Sequence, residues 1–190
     1  PQGIIHHRCC MDRLSGSSTP PPEAFVKLLV RNRFDCTPTR FWEMYWSDSF
    51  DAMLSEGSDI TRELISERDD GGVNIRTVRF TPDKELPSSV AKLLGATKLI
   101  YDQEMRYHAA DSRMQWRVMP TILPGKLVAK GDFVVVPSGQ DGCEQVVEGE
   151  INVSVPFIGS RIEAGVIAEV EKSYERTAAT CREWLRAHGA

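Results

Sequence analysis

The chain has 190 residues, of which 41% are hydrophobic and 26% charged, with a formal net charge of -4. That length suits one domain around one core, the apolar content excludes wholesale disorder, and the acidic balance lacks the basic footprint that phosphate-backbone binding requires. Nucleic acid is therefore not an expected partner, and no apolar run approaches the roughly 18 to 20 residues of a transmembrane segment.

Residues 1–22 do not begin with Met, hold His6, His7, Cys9 and Cys10, and end in Ser15-Gly16-Ser17-Ser18-Thr19-Pro20-Pro21-Pro22. That composition reads as a disordered tail, linker or leader and is set apart from the fold, so residues 23–190 are the expected domain. From Phe25 to Phe34, the apolar residues Phe25, Val26, Leu28, Leu29 and Val30 predict a first strand. Thr37 is a good N-cap and Pro38 suits the first helical position, where its missing N–H costs nothing. A short helix carrying Phe41, Trp42, Met44, Tyr45 and Trp46 should follow. A second, restarting at Asp48-Ser49, should carry Phe50, Met53 and Leu54 as far as Gly57.

The next hundred residues are strand-like and are divided by turn chemistry at Asp69-Asp70-Gly71-Gly72, Ala110-Asp111-Ser112, Leu123-Pro124-Gly125 and Ser138-Gly139-Gln140-Asp141-Gly142, which predicts antiparallel hairpins. Leu99, Tyr101, Gln103, Met105 and Tyr107 alternate with Ile100, Asp102, Glu104, Arg106 and His108, so one face of that strand is apolar. Met114, Trp116 and Val118, then Val147, Ile151, Val153 and Val155, repeat the pattern. Between strands, the run from Ser88 to Gly95 reads as a turn or two of helix. The last segment opens with Ser160 and Glu163 in capping-box spacing. Its residues Ile162, Val166, Val170, Tyr174, Ala178, Cys181 and Leu185 then make an apolar stripe about 40 Å long. Such a helix must lie on something apolar, and the sheet is the large apolar surface available.

Chemistry leaves few marks. Five cysteines, Cys9, Cys10, Cys36, Cys143 and Cys181, form no CxxC pair, which points to free thiols in a reducing compartment such as the cytoplasm. His6, His7, His108 and His188 are scattered, so no metal site is expected. No glycine-rich phosphate loop and no nucleophile motif occurs, so neither a cofactor nor covalent catalysis is expected. The polar residues predicted on apolar faces are Gln103 and, if Val73 and Ile75 face inward, Arg79. They either anchor a ligand's hydroxyl or carbonyl or are satisfied by backbone. The aromatic residues after Pro38 are either a ligand-stacking wall or ordinary packing.

The order strand, two short helices, about six antiparallel strands and a long helix contains no βαβ alternation. Together with the junction Val153-Ser154-Val155-Pro156-Phe157-Ile158-Gly159-Ser160-Arg161-Ile162-Glu163, it resembles the START-like superfamily, which includes the birch-pollen allergens, polyketide cyclases and lipid-transfer domains. The resemblance covers about Phe25 to Gly189 and is nearest to a bacterial branch of unknown function. It implies an α+β helix-grip fold, a curved antiparallel sheet wrapped around the long C-terminal helix with two short helices after the first strand.

It also implies an internal cavity for an apolar small molecule of the lipid or sterol class, bound without catalysis. An alternative is a polyketide cyclase or dehydratase using the same cavity. Expected ligand-binding residues are Trp42, Trp46, Arg79, Tyr101, Gln103, Met105, Trp116, Val118, Phe133, Val166, Val170 and Tyr174. Val90, Leu93, Leu94, Ile122 and Leu123 form the expected portal, opening toward a carrier or in transient contact with a membrane surface.

Overall fold

The computed structural model describes residues 26–88, 91–92, 95–122, 125–154 and 159–189, with backbone only at Val26 and at 160–162. In chain order the elements are β1 (Val26–Phe34), α1 (Pro38–Tyr45), α2 (Asp48–Ser55), β2 (Ile60–Asp70), β3 (Val73–Pro82), β4 (Tyr101–His108), β5 (Arg113–Pro120), β6 (Leu127–Ser138), β7 (Gly142–Val153) and α3 (Gly159–His188). The strands form one antiparallel sheet in the order β1-β7-β6-β5-β4-β3-β2. This is the curved sheet, long C-terminal helix and pair of short helices that the sequence predicts.

The local signals act as expected at both short helices. Thr37 Oγ1 accepts the Arg40 N–H at 3.2 Å with Pro38 opening α1. Ser47, one residue earlier than the sequence suggests, caps α2 by accepting the Phe50 N–H at 3.2 Å. Of the expected turns, Gly71, Gly72 and Gly139 take positive φ in their hairpins, while Leu123 and Pro124 lie outside the described residues. The expected helix from Ser88 to Gly95 is described only in part. The side chain of Ser160 is also outside the described residues, so the capping box is not on view. Glu163 is buried and reaches back to β7, its Oε1 accepting the Val153 N–H at 2.7 Å. That bond ties the start of α3 to the end of the last strand.

The core lies between the concave face of the sheet and α3 with the two short helices. Leu28, Phe34, Cys143, Val147, Ile151, Ala129, Phe133 and Val135 are buried there from β1, β7 and β6, and Ala178, Cys181, Trp184 and Leu185 meet them from α3. The expected stripe of α3 is thus inward from Val166 to Leu185, with Trp184 added, while the side chain of Ile162 lies outside the described residues. Arg40 fixes the far end of α3: its Nη2 donates to the His188 and Gly189 carbonyls at 3.2 Å each, satisfying acceptors left open at a helix C-terminus. The Trp184 Nε1–H donates to Ser49 Oγ at 2.9 Å, so both short helices clasp that end. Cys36 and Cys143 lie side by side with Sγ atoms 3.8 Å apart, and both are free thiols, as is Cys181.

Gly131 of β6 and Gly149 of β7 are direct cross-strand partners, and Trp116 pairs with Gly131 from β5. A Cβ on Gly149 would sit 2.8 Å from Cη2 of Trp116. The indole therefore lies across two residues that have no side chain, and the sheet closes around it.

Candidate functional site: the half-covered concave face

Helix α3 packs on β7, β1, α1 and α2, and coverage of the concave face follows from that placement. On β6 and β7 the inward side chains are sealed, as are Leu28 and Phe34 of β1, whereas Val30 of β1 is half-buried. On β3 to β5 the inward residues Val78, Phe80, Tyr101, Gln103 and Val118 stay half-buried, as do Val166, Ile167, Val170 and Tyr174 from the first half of α3. Apolar side chains from two elements thus face each other without complete closure.

The polar groups along this surface come from four elements. Arg62 of β2 pairs with Phe80, and Phe80 with Tyr101, so the three residues form a row across β2, β3 and β4. The Arg62 guanidinium lies over the Phe80 ring with its Cζ 5.5 Å from the centroid, and Phe80 stacks on Tyr101 at 5.0 Å. One Arg62 nitrogen, Nη1, binds Asp51 of α2 at 3.0 Å, while Nε is buried without a partner among the described residues.

Burial pushes the Tyr101 and Tyr45 phenols up to about 12, against the opposing pull of the Arg62 charge on both. Burial also raises Tyr174, and nearby Tyr45 and Tyr101 add to that rise. These phenols therefore stay protonated at ordinary pH and offer O–H donors.

The expected site residues divide accordingly. Tyr101, Gln103, Val118, Val166, Val170 and Tyr174 come together on the half-covered surface. Trp46 borders it, 5.2 Å from Tyr45 and with the Arg76 Cζ 4.7 Å over its ring. Trp42, Met105, Trp116 and Phe133 are packed into the core; Phe133 has Trp42, Tyr45 and Phe41 around it at 5.2, 5.3 and 6.1 Å.

Arg79 is a correction. It pairs with Asp102, which alternates with inward Tyr101 and Gln103, so Arg79 projects from the opposite face and binds Asp102 through Nε at 2.8 Å. The premise that Ile75 faces inward fails with it. Ile75 is buried on the outer face between its ladder partners Arg68 and Arg106, whose aliphatic stems can cover an apolar neighbour. Of the expected portal, Ile122 is half-buried and Val90, Leu93, Leu94 and Leu123 lie outside the described residues.

Arg62 was not expected at the site, and Tyr45 was expected only as one of the aromatic residues after Pro38 that either stack on a ligand or pack in the core. Alternation does not single out Arg62, because Ile60, Arg62 and Leu64 alternate with Thr61 and Glu63 only briefly before Leu64 and Ile65 stand side by side. A register shift between Leu64 and Ser66 changes the inward set midway along β2.

A different concavity, of about 780 Å³, opens on the outer face over β1, β7, β6, β5 and β4. Many of its lining residues are charged and several are ion-paired, Glu104 with Arg106 of its own strand and Arg117 of β5 at 3.0 and 3.1 Å and Lys130 with Glu150 at 3.0 Å. Burial favours the neutral form of Glu104, yet its two arginines outweigh it and hold the carboxyl below the usual range. The opposite charges of this lining largely offset one another. Among the described residues no cluster of His, Cys, Asp and Glu is placed to hold a metal ion, and no helix is long and apolar enough to cross a membrane.

A family model described as a protein of unknown function, DUF2505, matches residues 30–185. The chain belongs to that family. No curated protein matches DUF2505's present member by sequence, whereas solved structures match its fold. Norcoclaurine synthase from Thalictrum flavum aligns with 16% identity and a TM-score of 0.58, covering 99% of this chain and 100% of the synthase. An aromatase/cyclase from a Streptomyces species gives 10% identity and 0.58, covering 87% and 98%. A START superfamily protein from Mycobacterium smegmatis gives 14% and 0.56, covering 85% and 99%. At these identities the likeness is one of fold, and this DUF2505 chain has the START-like, helix-grip fold.

Proposed function

We propose that the half-covered concave face binds an apolar small molecule of the lipid or sterol class without reacting it. The observation that carries this reading is the contrast in coverage. Inward side chains of β6 and β7 are sealed, whereas Val78, Phe80, Tyr101 and Val118 of β3 to β5 and Val166, Val170 and Tyr174 of α3 stay half-buried. Apolar surface held partly open on two opposed elements is the usual setting of a ligand site. Withdrawing about 400 Å² of ligand surface from water is worth roughly 10 kcal/mol gross, much of it offset by lost motion, which leaves room for useful affinity without a catalytic group.

Access belongs to the same proposal. Thr121 donates through its N–H and Oγ1 to the Ile100 carbonyl at 3.0 and 2.9 Å, joining the segments on either side of the β4–β5 pair. Ile122, next to this joint, belongs to the proposed portal with Val90, Leu93, Leu94 and Leu123, which lie outside the described residues. The apolar character of these five residues suits a transient membrane contact.

A cyclase-like reaction is the second reading, favoured by the protonated phenols and by Arg62, which suit a substrate carbonyl. Such chemistry also needs a proton acceptor, and the inward carboxylate Glu67 is engaged by Arg76 and Asn74 at 2.8 and 2.9 Å. Binding is thus the better supported of the two.

Organic extraction and mass spectrometry of natively purified protein, followed by titration with the neutral dye Nile red, test the proposal. An apolar molecule near one per chain, or dye uptake at that stoichiometry, is expected. Absence of both would refute it.

A further inference from the structure

Five buried side-chain polar atoms lack a partner among the described residues: Trp42 Nε1, Trp46 Nε1, Arg62 Nε, Trp116 Nε1 and Gln145 Nε2. All five are N–H donors. Buried polar groups are almost always satisfied, so a set of orphans of a single kind calls for an explanation. Two of them belong to the half-covered surface: the Arg62 guanidinium lies over Phe80, which stacks on Tyr101, and the Trp46 ring is 5.2 Å from that of Tyr45. The phenols there are themselves O–H donors. Donors facing an apolar site fit a ligand rich in acceptors, and a guanidinium adds a full positive charge in a geometry matched to a carboxylate.

From this arrangement we infer that the ligand is an apolar carboxylic acid, its carboxylate held by Arg62 at the α2–β2 end and its hydrocarbon part lying along Val118, Val170 and Tyr174. The inference rests on the interior being a ligand site, as proposed above. Asp51 does not pre-empt the position. It occupies one of the five N–H donors of Arg62 through Nη1, and its side chain is 64% exposed against 22% for Arg62. The counter-ion is therefore the solvated member of the pair, on the outer side. The buried Nε, which Asp51 leaves free, is the donor assigned to the ligand carboxylate.

The experiment compares dodecanoic acid, dodecanol and dodecylamine, three probes with one chain and different heads, by calorimetric titration of the full chain at a pH well above the carboxylate range. Dodecanoate should bind about tenfold tighter than dodecanol, the effect of roughly one charge-assisted hydrogen bond, and dodecylamine should bind weakest. Arg62→Gln should abolish the preference, so that dodecanoate binds no tighter than dodecanol to that variant. Should that variant fail to fold, Asp51→Asn serves instead: removing the competing carboxylate should tighten dodecanoate and leave dodecanol unchanged. Equal affinities for acid and alcohol, or a preference that survives Arg62→Gln or ignores Asp51→Asn, would overturn the inference while leaving the ligand site standing. If none of the three probes binds, the site itself falls and this inference with it.

Discussion

Gly131→Ala should cost about 3 kcal/mol or more, at the upper end of what overpacking does in a well-filled core. A methyl group at that position falls inside contact distance of backbone that cannot retreat, the Glu148 carbonyl oxygen and the Gly149 Cα at 2.6 Å, besides Cζ2 of Trp116 at 2.8 Å. The neighbouring substitution Gly149→Ala meets chiefly the Trp116 ring, with the Lys130 carbonyl at 2.9 Å behind it. The two glycines should therefore respond differently to a smaller residue at position 116. In double-mutant cycles read by urea denaturation, Trp116→Leu should recover a substantial part of the Gly149→Ala loss and little of the Gly131→Ala loss. Equal recovery at both positions would mean that the ring, and not the strand backbone, sets the limit at Gly131.

Raising the pH should destabilise the protein through its phenols. All four tyrosines, Tyr45, Tyr101, Tyr107 and Tyr174, are shifted upward, each principally by burial. An unfolded chain ionises tyrosine near 10, whereas the folded protein holds the Tyr45 and Tyr101 protons up to about 12. The folded state thus binds these protons more tightly. The associated stability is complete below about pH 10 and is lost as the pH rises through about 12. Ultraviolet difference absorbance should show little phenolate near pH 10 in native protein and ordinary titration in urea. The denaturation midpoint should fall over the same range, and Tyr45→Phe with Tyr101→Phe should flatten that fall. A native phenol titrating near 10 at full amplitude would contradict this account of the inner face.

Fold and site differ in how far the sequence reveals them. Thr37-Pro38, the turn glycines and the stripe from Val166 to Leu185 each answer to one local rule, and each appears in its expected role. The inward faces of β4, β5 and β7 were legible because apolar and charged residues alternate cleanly there. Strand β3 offered no such alternation. Val73, Ile75, Thr77 and Arg79 are about as apolar as Asn74, Arg76, Val78 and Phe80, and Ile75 is buried on the outer side, so Arg79 was assigned to the wrong face.

The deciding clue was a cross-strand match of charge, Arg79 with Asp102, which depends on register. Arg62 escaped notice for a related reason. Its meaning lies in Asp51 from α2, Phe80 from β3 and the phenols of α1, β4 and α3, a set of contacts that tertiary structure creates. Likewise, neither composition nor periodicity says that α3 rests on β1 and β7 and leaves β3 to β5 half-covered, because that depends on where the short helices hold its C-terminal end.

The most direct test of the concave face as the ligand site is a titration with neutral dodecanol followed by valine methyl resonances in the nuclear magnetic resonance spectrum. Val78, Val118, Val166 and Val170 report on the inner surface, while Val128 and Val136, exposed by 38% and 41%, report on the outer face of β6. Saturable shifts confined to the inner four are the predicted result. Shifts centred on Val128 and Val136, or none at any of the six, would contradict it.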